Sequence, residues 1–472
     1  MSPRIHTVAV IGSGTMGAGI AEVAAAAGHP VLLYDIASEA LTRAVDGIRR
    51  RLESRVTRGK LSQDACAATL ARLFPVADMQ ALASADLVIE AASERPEVKA
   101  ALFSQLAEIC PAQTLLTSNT SSISITAIAA GVRHPERVAG LHFFNPAPVM
   151  KLVEVVSGIA TSTEVVEQLC QCVSGWGKQP VRCRSTPGFI VNRVARPFYA
   201  EAWRALEEQV ADAAVIDTVL REAGGFPMGP LALTDLIGQD VNFAVTCSVF
   251  NAFWQERRFL PSLIQQELVL AGRLGKKSGQ GVYAWPQGAP EVAFYPDVKH
   301  LAQHTQPSGD TVTIDGVLVT HCDGETALEK ASRLKRPVVV VDYSEGDVVA
   351  VATAATNSQR QTETAIGWLQ QQGKKVLLVA DYPGLLVSRT LAMLINEALD
   401  AVQKGVASEA DIDTAMRLGV NYPHGPLQWG SNLGWQRVLT LLENLQRHYG
   451  EERYRPCSLL RQRALLENRH ES

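Results

Sequence analysis

The feature that most constrains the fold is a glycine-rich turn in TVAVIGSGTMGAGIAEVAAAAGHPVLLYDI, residues 7–36. Gly12, Gly14 and Gly17 have GxGxxG spacing, follow a short β-rich run and precede an alanine-rich stretch typical of a helix. Gly12 permits a tight turn, Gly14 lets the backbone approach a pyrophosphate, and Gly17 lets helix and strand pack closely. The segment therefore predicts a βαβ unit that binds a dinucleotide.

The second predicted strand of this unit ends in Asp35, 18 residues after Gly17. A carboxylate at this position would hold ribose hydroxyls and repel a 2′-phosphate, so NAD is favoured over NADP. Thr15 and Met16 lie between the glycines and are expected to contact the cofactor with them. A glycine-rich turn without a ligand is the alternative interpretation, but strand, helix, second strand and acid in this order favour the dinucleotide.

Further strand-like runs at residues 85–92, 113–122 and 137–144 are separated by helical stretches, which predicts a doubly wound parallel sheet. Ligands of such sheets bind at the carboxyl ends of the strands. Polar side chains fall at or just past three of these ends: Glu94 with Lys99, Asn119 with Ser121, and His142 with Asn145. Each could be an ordinary loop residue, but the three together indicate a binding site.

Composition excludes several classes of function. A net charge of −4 gives no large basic face for nucleic acid, and no apolar run reaches the roughly 18 residues that a membrane span needs. The N-terminus lacks the pattern of a signal peptide. The 8 cysteines are scattered without CxxC spacing, so neither a metal site nor a disulfide framework is expected. Reduced thiols in the cytoplasm are the plain interpretation.

The later part of the chain repeats an earlier part at an offset of 196 residues, which indicates an internal duplication. The matching pairs are Pro187 with Pro383, Glu201 with Glu397, Asp217 with Asp413, and Gly229 with Gly425. No second GxGxxG follows. At the same offset His142 falls opposite Val338, Glu154 opposite Ala350 and Asn192 opposite Ser388. The second copy is therefore expected to be structural and without chemistry.

These patterns predict an α/β Rossmann-type NAD-binding domain followed by an all-α domain, and then a degenerate second copy of both. The expected boundaries are a Rossmann domain at 1–184, a helical domain at 185–285, a linker at 286–309, a truncated Rossmann-like segment at 310–382 and a second helical copy at 383–472.

Five motifs together resemble those of the L-3-hydroxyacyl-CoA dehydrogenases: VIGSGTMGAGIA, SNTSSISIT, GLHFFNPAPVMKLVEVV, TPGFIVNRV and FPMGPLALTDLIG. The resemblance is dense over residues 5–285 and returns in the helical unit from residue 383. It implies NAD-dependent oxidation of an (S)-3-hydroxyacyl-CoA to the 3-oxoacyl-CoA. The tandem organisation is similar to that of members acting on 3-hydroxyadipyl-CoA in phenylacetate breakdown, with 3-hydroxybutyryl-CoA or general fatty-acyl substrates as the alternative.

The resemblance also implies roles for individual residues. His142 matches the catalytic base and Glu154 its acidic partner, while Ser121 and Asn192 match substrate contacts. Nucleotide contacts match Asp35, Glu94, Lys99, Ser121 and Asn145, and Lys277 matches a contact on the cofactor or substrate side. The chemistry agrees, because imidazole accepts and returns protons near neutral pH, and a carboxylate on its other nitrogen fixes the tautomer. A satisfied core histidine is the alternative for His142 alone.

Two sets of arginines are candidates for substrate binding. Arg51, Arg55 and Arg58 recur at spacings of four and three in a basic helical stretch, so one face could meet CoA phosphates, although a solvated face is equally compatible. Arg196 stands where the family usually has an apolar residue, four positions after Asn192. The hypothesis is that it approaches a carboxylate at the far end of the acyl chain; an arginine on the helical surface or in an interdomain pair is the alternative.

Other classes of protein remain open at this point. A non-catalytic NAD-binding protein could share the fold, and so could a dehydrogenase of small hydroxy acids. Retention of the four residues His142, Glu154, Ser121 and Asn192 favours the acyl-CoA enzyme. Family members with one helical unit pair through it as homodimers, so the resemblance implies that residues 383–472 pack on 187–284 as an intrachain pseudo-dimer, with further homo-oligomerisation open.

Overall fold

The computed structural model of the protein describes residues 5–298 and 304–470. The chain divides into two compact units, each containing one β-sheet. The first unit comprises Met1–Val191 with Gly405–Val420, and the second comprises Asn192–Lys404 with Asn421–Ser472.

The strands of the described residues are β1 (Val8–Ile11), β2 (Val31–Tyr34), β3 (Leu73–Val76), β4 (Leu87–Glu90), β5 (Leu115–Ser118), β6 (Val138–Phe143), β7 (Leu152–Ser157), β8 (Gln179–Arg184), β9 (Thr305–Ser308), β10 (Thr311–Ile314), β11 (Val317–His321), β12 (Val338–Val341), β13 (Val348–Thr353) and β14 (Lys375–Leu378).

The α-helices are α1 (Thr15–Ala26), α2 (Ser38–Thr57), α3 (Gln63–Leu70), α4 (Pro96–Ile109), α5 (Ile125–Ala129), α6 (Thr163–Gly175), α7 (Val191–Val194), α8 (Arg196–Glu207), α9 (Ala213–Thr218), α10 (Pro230–Ile237), α11 (Gln239–Ala252), α12 (Leu263–Leu270), α13 (Ala327–Leu334), α14 (Gln359–Gln371), α15 (Val387–Gln403), α16 (Glu409–Gly419), α17 (Pro426–Leu433), α18 (Trp435–Tyr449) and α19 (Ser458–His470). Short 3₁₀ turns and one π-helical turn, Val219–Ala223, complete the elements.

The sheet of the first unit has eight strands in the order β3-β2-β1-β4-β5-β6-β7-β8. Its strands run parallel from β3 to β6, as the sequence predicts, but β7 is antiparallel to β6. The connection between β6 and β7, residues 144–151, explains the reversal, because a parallel crossover needs a dozen or more residues. As a result, β7 runs back directly beside β6.

The glycines of the first turn are required by close backbone contacts. Gly12 has a φ of +93°, and a Cβ there would lie 2.5 Å from the carbonyl oxygen of Ala91. A Cβ on Gly17 would lie 1.8 Å from the carbonyl oxygen of Gly12. Only glycine fits either place, so the turn brings the N-terminus of α1 against the end of β1.

The sheet of the second unit has six strands in the order β14-β13-β12-β11-β10-β9. The pairing of β11 to β14 is parallel, antiparallel and parallel, which repeats the pairing of β5 to β8. This part is the truncated Rossmann-like segment that the sequence predicts. Strand β9 begins inside the stretch predicted as a linker, because its four residues are exposed and lack an apolar alternation.

The strand register corrects one sequence alignment between the copies. Leu141 pairs with Val155 in the first sheet, and Val341 pairs with Val351 in the second. The partners are 14 residues apart in the first pair and 10 in the second, so the second connection is four residues shorter. The counterpart of His142 is therefore Asp342, and the expectation that His142 falls opposite Val338 was wrong because a constant offset ignores this deletion.

The repeat also interleaves the two units. The N–H of Arg184 donates to the carbonyl of Val406 at 2.8 Å, at the end of β8. The N–H of Ala380 donates to the carbonyl of Val210 at 3.0 Å, just after β14. Both residues of the second pair are displaced from the first by 196 positions in opposite directions. Residues 405–420, which the repeat assigns to the second helical copy, thus complete the first unit by packing α16 on β7 and β8.

Candidate active site

His142 and Glu154 stand directly opposite each other on the antiparallel strands β6 and β7. The Nδ1 atom of His142 lies 2.6 Å from Oε2 of Glu154. Both side chains are buried, with 8% and 1% of their surfaces exposed. The short β6–β7 connection therefore places the two polar groups in contact, because it fixes the antiparallel register that sets them side by side.

The second oxygen of Glu154 is also occupied. Oε1 accepts hydrogen bonds from the N–H groups of Ile190 at 3.1 Å and Val191 at 2.9 Å. These donors precede or begin α7, so the carboxylate satisfies N–H groups that a helix start leaves without intrahelical partners. One carboxylate thus orients the imidazole ring and holds the segment that leads to Asn192.

The contact fixes which nitrogen of His142 is free for chemistry. A carboxylate only accepts hydrogen bonds, so Nδ1 carries the proton that it donates to Glu154. Nε2 of the neutral ring is then the basic atom. The rings of Phe144 and Phe189 pack against the imidazole with centroids at 4.6 and 5.9 Å. The ring is therefore held in place on several sides.

Glu94 organises the loop that follows β5. Its Oε1 accepts from the hydroxyl of Thr120 at 2.5 Å, from the N–H groups of Ser121 at 3.0 Å and Ser122 at 3.2 Å, and from the Ser122 hydroxyl at 3.1 Å. Burial would raise the pKa of Glu94, but the Thr120 hydrogen bond and the charge of Lys99 lower it below the usual value. The Ser121 hydroxyl, 3.4 Å from Glu94, is only weakly held by it.

Lys99 and Glu90 form a buried pair beneath this loop. The ammonium of Lys99 lies 2.6 Å from Oε1 of Glu90 and 3.4 Å from Oε2 of Glu94. Glu90 also accepts from the N–H of Ala92 and from the hydroxyl of Ser118, each at 2.6 Å. Lys99 is 1% exposed, so it acts here as a buried tie between two strand ends. The sequence interpretation missed Glu90 and Ser118, because both lie inside apolar strands that read as core.

Asp35 closes the nucleotide end of the site. Its Oδ2 accepts from the N–H and the hydroxyl of Ser13, both at 2.7 Å, and its Oδ1 accepts from the N–H of Ala37 at 3.0 Å. Burial would raise the pKa of Asp35, but these hydrogen bonds hold it below the usual value. The carboxylate is thus positioned beside the glycine turn at the end of β2.

The geometry of this end fits a dinucleotide. A Cβ on Gly14 would meet nothing within 4 Å, so a pyrophosphate has room to approach the backbone at the start of α1. The first turn of α1 contains no acidic residue that would repel it. Thr15 borders the open groove, whereas Met16 packs partly buried against the core.

A groove of about 1070 Å³ runs between α1, α2 and the loop at residues 145–149. Asn145 and the arginines Arg51, Arg55 and Arg58 border it. Arg51 is tied to Glu22 by contacts of 2.8 and 2.9 Å, so its guanidinium is fixed. Arg43 and Arg50 also line the groove, and the sequence interpretation missed them because only the 51–55–58 stripe was considered.

Asn192, Arg196 and Lys277 belong to the second unit. The ammonium of Lys277 lies 2.6 Å from Oδ1 of Asp240, and both side chains are partly exposed. Arg196 is buried, and its Nε donates to the carbonyl of Asn192 at 2.8 Å. The structure therefore links Asn192 and Arg196 through one turn of helix.

Family models match nearly the whole chain. The NAD-binding domain of 3-hydroxyacyl-CoA dehydrogenase matches residues 7–186, and the C-terminal domain of the same family matches residues 188–285 and again 384–470. The reduced Rossmann-fold domain of 3-hydroxybutyryl-CoA dehydrogenase matches residues 319–383. The duplication inferred from the sequence is thus present in the family matches.

Individual relatives match over different lengths. The 3-hydroxyadipyl-CoA dehydrogenase of Escherichia coli K12 is 72% identical over 100% of both chains. A probable 3-hydroxybutyryl-CoA dehydrogenase of Bacillus subtilis is 39% identical over 60% of this chain and 99% of its own. A crystal structure of 3-hydroxybutyryl-CoA dehydrogenase from Escherichia coli K12 superposes with a TM-score of 0.98 at 71% identity, covering 99% of this chain and 100% of that one. Within the described residues, no helix is long and apolar enough to cross a membrane.

Proposed function

This chain belongs to the 3-hydroxyacyl-CoA dehydrogenase family and is an NAD-dependent enzyme of that class, and we propose that His142 is its catalytic base and 3-hydroxyadipyl-CoA its preferred substrate. The observation that supports the catalytic assignment is the buried contact of 2.6 Å between His142 and Glu154. It leaves Nε2 of the imidazole as a basic atom held at a fixed orientation.

The residues divide the reaction between them. His142 Nε2 removes the proton of the 3-hydroxyl, and Glu154 stabilises the imidazolium that forms. Bound NAD supplies the acceptor for the hydride. In the reverse direction the same imidazolium returns the proton to the carbonyl oxygen. Ser121 and Asn192 hydrogen-bond the reacting oxygen and the thioester carbonyl, and the weak hold of Glu94 on the Ser121 hydroxyl leaves that hydroxyl free to turn.

The groove beside α2 is proposed as the site of the CoA nucleotide. Arg55 and Arg58 are exposed along it, so their guanidinium groups can meet phosphate oxygens. Arg51 is fixed by Glu22 and shapes the wall instead. Asp35 and the glycine turn lie at the nucleotide end and are proposed to hold the ribose and the pyrophosphate of NAD.

The preferred acyl chain is proposed from the full-length relative. That protein is named for 3-hydroxyadipyl-CoA and shares 72% identity over the whole chain, including the duplicated part. The crystal structure of 71% identity is named for 3-hydroxybutyryl-CoA instead. The two names differ in the far end of the acyl chain, a terminal carboxylate in one and a methyl group in the other. Rates with both thioesters therefore decide between them.

We also propose that the two helical copies form an intrachain pseudo-dimer. Helix α8 of the first copy packs against α15 of the second. Between these helices, Arg389 donates from Nε to Oε2 of Glu201 at 2.6 Å, and both side chains are buried. The arrangement supports a second copy that replaces a partner subunit. A cytoplasmic location is proposed as well, because all eight cysteines are free thiols.

Substitution of His142 by Gln tests the catalytic proposal. The variant keeps a polar side chain opposite Glu154 but lacks a base, so turnover of 3-hydroxybutyryl-CoA and 3-hydroxyadipyl-CoA should fall about 10²- to 10⁴-fold. The affinity for NADH, measured by its fluorescence, should change less than threefold. Retained turnover with either substrate would show that another group removes the proton.

A further inference from the structure

Arg196 differs from every other buried arginine among the described residues of the second unit. The buried arginines there are Arg193, Arg196, Arg204, Arg258 and Arg389. Arg193 and Arg258 pair with Glu397, and Arg204 and Arg389 pair with Glu201. Arg196 takes part in none of the ion pairs formed by the described residues. A buried cation without a counter-charge is costly, so its retention needs an explanation.

The neighbours of Arg196 hold it without neutralising it. Nε donates to the carbonyl of Asn192 at 2.8 Å, and Nη1 donates to the hydroxyl of Thr246 at 3.0 Å. The guanidinium lies over the ring of Tyr199, 4.8 Å from its centroid. Burial lowers the pKa of Arg196, and the groups that offset this effect are Tyr199 and Tyr422 rather than a carboxylate. The site is therefore fixed in geometry but lacks an anion.

A small cavity lies beside this guanidinium. It has a volume of about 30 Å³, room for one or two water-sized groups. Trp203 also lines it, is 3% exposed, and has an indole N–H with no hydrogen-bond partner. Glu207 borders the cavity too, but it is an exposed residue whose Oε1 accepts from the Ser262 hydroxyl at 2.5 Å. The unpaired buried groups on the wall, Arg196 and the Trp203 indole, are donors, so the cavity suits an acceptor such as a carboxylate.

The internal repeat provides a comparison at the same position. The counterpart of Arg196 in the second copy is Ala392, on α15, which is 2% exposed. The paired residues around it are kept, since Arg193 corresponds to Arg389 and Glu201 to Glu397. The helical packing that the copies share therefore does not need an arginine here. Arg196 is present in the copy that carries Asn192 and absent from the copy that carries Ser388.

We propose that Arg196, with the indole N–H of Trp203, binds a carboxylate in this cavity, and that the carboxylate is the one at the end of a dicarboxylyl acyl chain. This inference rests on the proposed function, which places the substrate against Asn192. In a 3-hydroxyadipyl chain the terminal carboxyl carbon is three C–C bonds from the hydroxyl-bearing carbon, about 4 Å. One helical turn advances about 5.4 Å, so a cation one turn from Asn192 is within reach of that end. Arg196 thereby determines specificity and takes no part in the proton transfer.

The test compares two six-carbon substrates, 3-hydroxyadipyl-CoA and 3-hydroxyhexanoyl-CoA, which differ only in the terminal carboxylate. The wild-type chain should prefer the adipyl thioester in kcat/KM. In Arg196→Met, which keeps the unbranched stem, kcat/KM should fall about 100-fold for the adipyl thioester and less than threefold for the hexanoyl thioester. Arg196→Lys should recover part of the preference, because it restores the charge without the planar fork. Thermal unfolding of each variant checks that the fold is intact.

A second arm separates the substrate from a free carboxylate as the occupant. Acetate should quench or shift tryptophan fluorescence in the wild-type chain but not in Arg196→Met if the cavity takes free carboxylates, with chloride at equal ionic strength as the control. A response to acetate with equal losses for both thioesters would keep the carboxylate site and reject the substrate as its source. Equal losses without any response to acetate would overturn the proposal. An absence of NAD-linked turnover with every thioester in the wild-type chain would instead defeat the proposed function.

Discussion

Arg193 on the first helical copy donates from Nε to Oε1 of Glu397 on the second copy at 2.6 Å, with both side chains 1% exposed. This pair is the repeat-related counterpart of Arg389 with Glu201. The two ion pairs are therefore reciprocal: each copy gives an arginine to the other and accepts one in return. That is the pattern of a two-fold interface, in which residue i meets j and j meets i.

The reciprocal pairs predict equal penalties when either one is broken. Glu397→Gln and Glu201→Gln each leave buried guanidinium groups without full compensation, so each should lower the free energy of unfolding by about 3–5 kcal/mol. Urea unfolding followed by circular dichroism measures the loss. The matched control is Glu108→Gln on exposed α4, which should stay within about 0.5 kcal/mol. Losses near the control value for both buried variants would contradict a pseudo-dimer held by these pairs.

Glu154 and Asp342 offer a matched comparison of catalysis and structure. Asp342 accepts from the N–H groups of Leu386 at 2.9 Å and Val387 at 2.7 Å, as Glu154 does for the corresponding residues of the first copy. Both Glu154→Gln and Asp342→Asn should lower stability by about 1–3 kcal/mol. Only Glu154→Gln should lower kcat, by about 10²- to 10⁴-fold, because only that carboxylate orients an imidazole. Steady-state rates at saturating NAD and thioester distinguish the two, and a comparable drop in kcat for Asp342→Asn would be evidence against the assignment.

The buried pair of Glu90 and Lys99 should behave as a coupled unit. Glu90→Gln leaves the Lys99 ammonium buried with only Glu94 at 3.4 Å, so unfolding should become easier by about 3–5 kcal/mol. The double variant Glu90→Gln with Lys99→Met removes the buried charge and should recover much of this loss. A double-mutant cycle in urea measures the coupling, and simple addition of the single losses would show that the two side chains act separately.

Asp217 predicts a component of stability that depends on pH. It accepts from the N–H groups of Leu231 and Ala232 and from the Tyr283 hydroxyl. Burial raises the pKa of Asp217 to about 6. Its protonated form is thus favoured by folding, so the contribution is full below the unfolded pKa near 4 and is lost as pH rises through about 6.

The size of this effect follows from the shift. About two pKa units correspond to about 3 kcal/mol, which the wild-type chain should lose relative to Asp217→Asn between pH 4 and pH 7. Unfolding free energies of both chains across this range give the difference directly. Parallel curves would mean that Asp217 titrates normally in the folded protein.

The groove beside α2 predicts an effect on KM alone. Arg55→Ala with Arg58→Ala should raise KM for acyl-CoA about 5- to 30-fold, as expected from two exposed ion pairs of up to about 1 kcal/mol each, and leave kcat within twofold. The control is a substrate rather than a variant: the pantetheine thioester of the same acyl group lacks the nucleotide, so its KM should not change. A similar rise for both thioesters would place the effect outside the nucleotide.

The sequence was informative where local chemistry sets the structure. The spacing of Gly12, Gly14 and Gly17 predicted the turn, because contacts as close as 1.8 Å leave no room for a side chain. The apolar run with His142 and Glu154 was correctly interpreted as a place where the two could serve each other. Their contact depends on an antiparallel register, and the sequence indicated only a parallel sheet. The length of the 144–151 connection was the signal that could have revealed it.

Other features could not be predicted because they depend on distant parts of the chain. A constant offset aligned His142 with Val338, and only the strand pairing of Val341 with Val351 shows the four-residue deletion. Glu90 looked like a strand residue until the packing of α4 brought Lys99 against it. Whether Ser121, Asn192 and Lys277 meet ligands stays a prediction, since their roles come from family resemblance.

The hydrogen bond between Arg184 and Val406 has a consequence for synthesis of the chain. The first sheet acquires its last neighbour from a segment translated about 220 residues later, a delay of roughly 10–45 s at ribosomal speeds of 5–20 residues per second. During that interval the outer face of β8 waits for α16 while the second sheet is already emerging. The nascent protein therefore cannot finish its nucleotide-binding half first, and both halves reach their native state only near the end of translation.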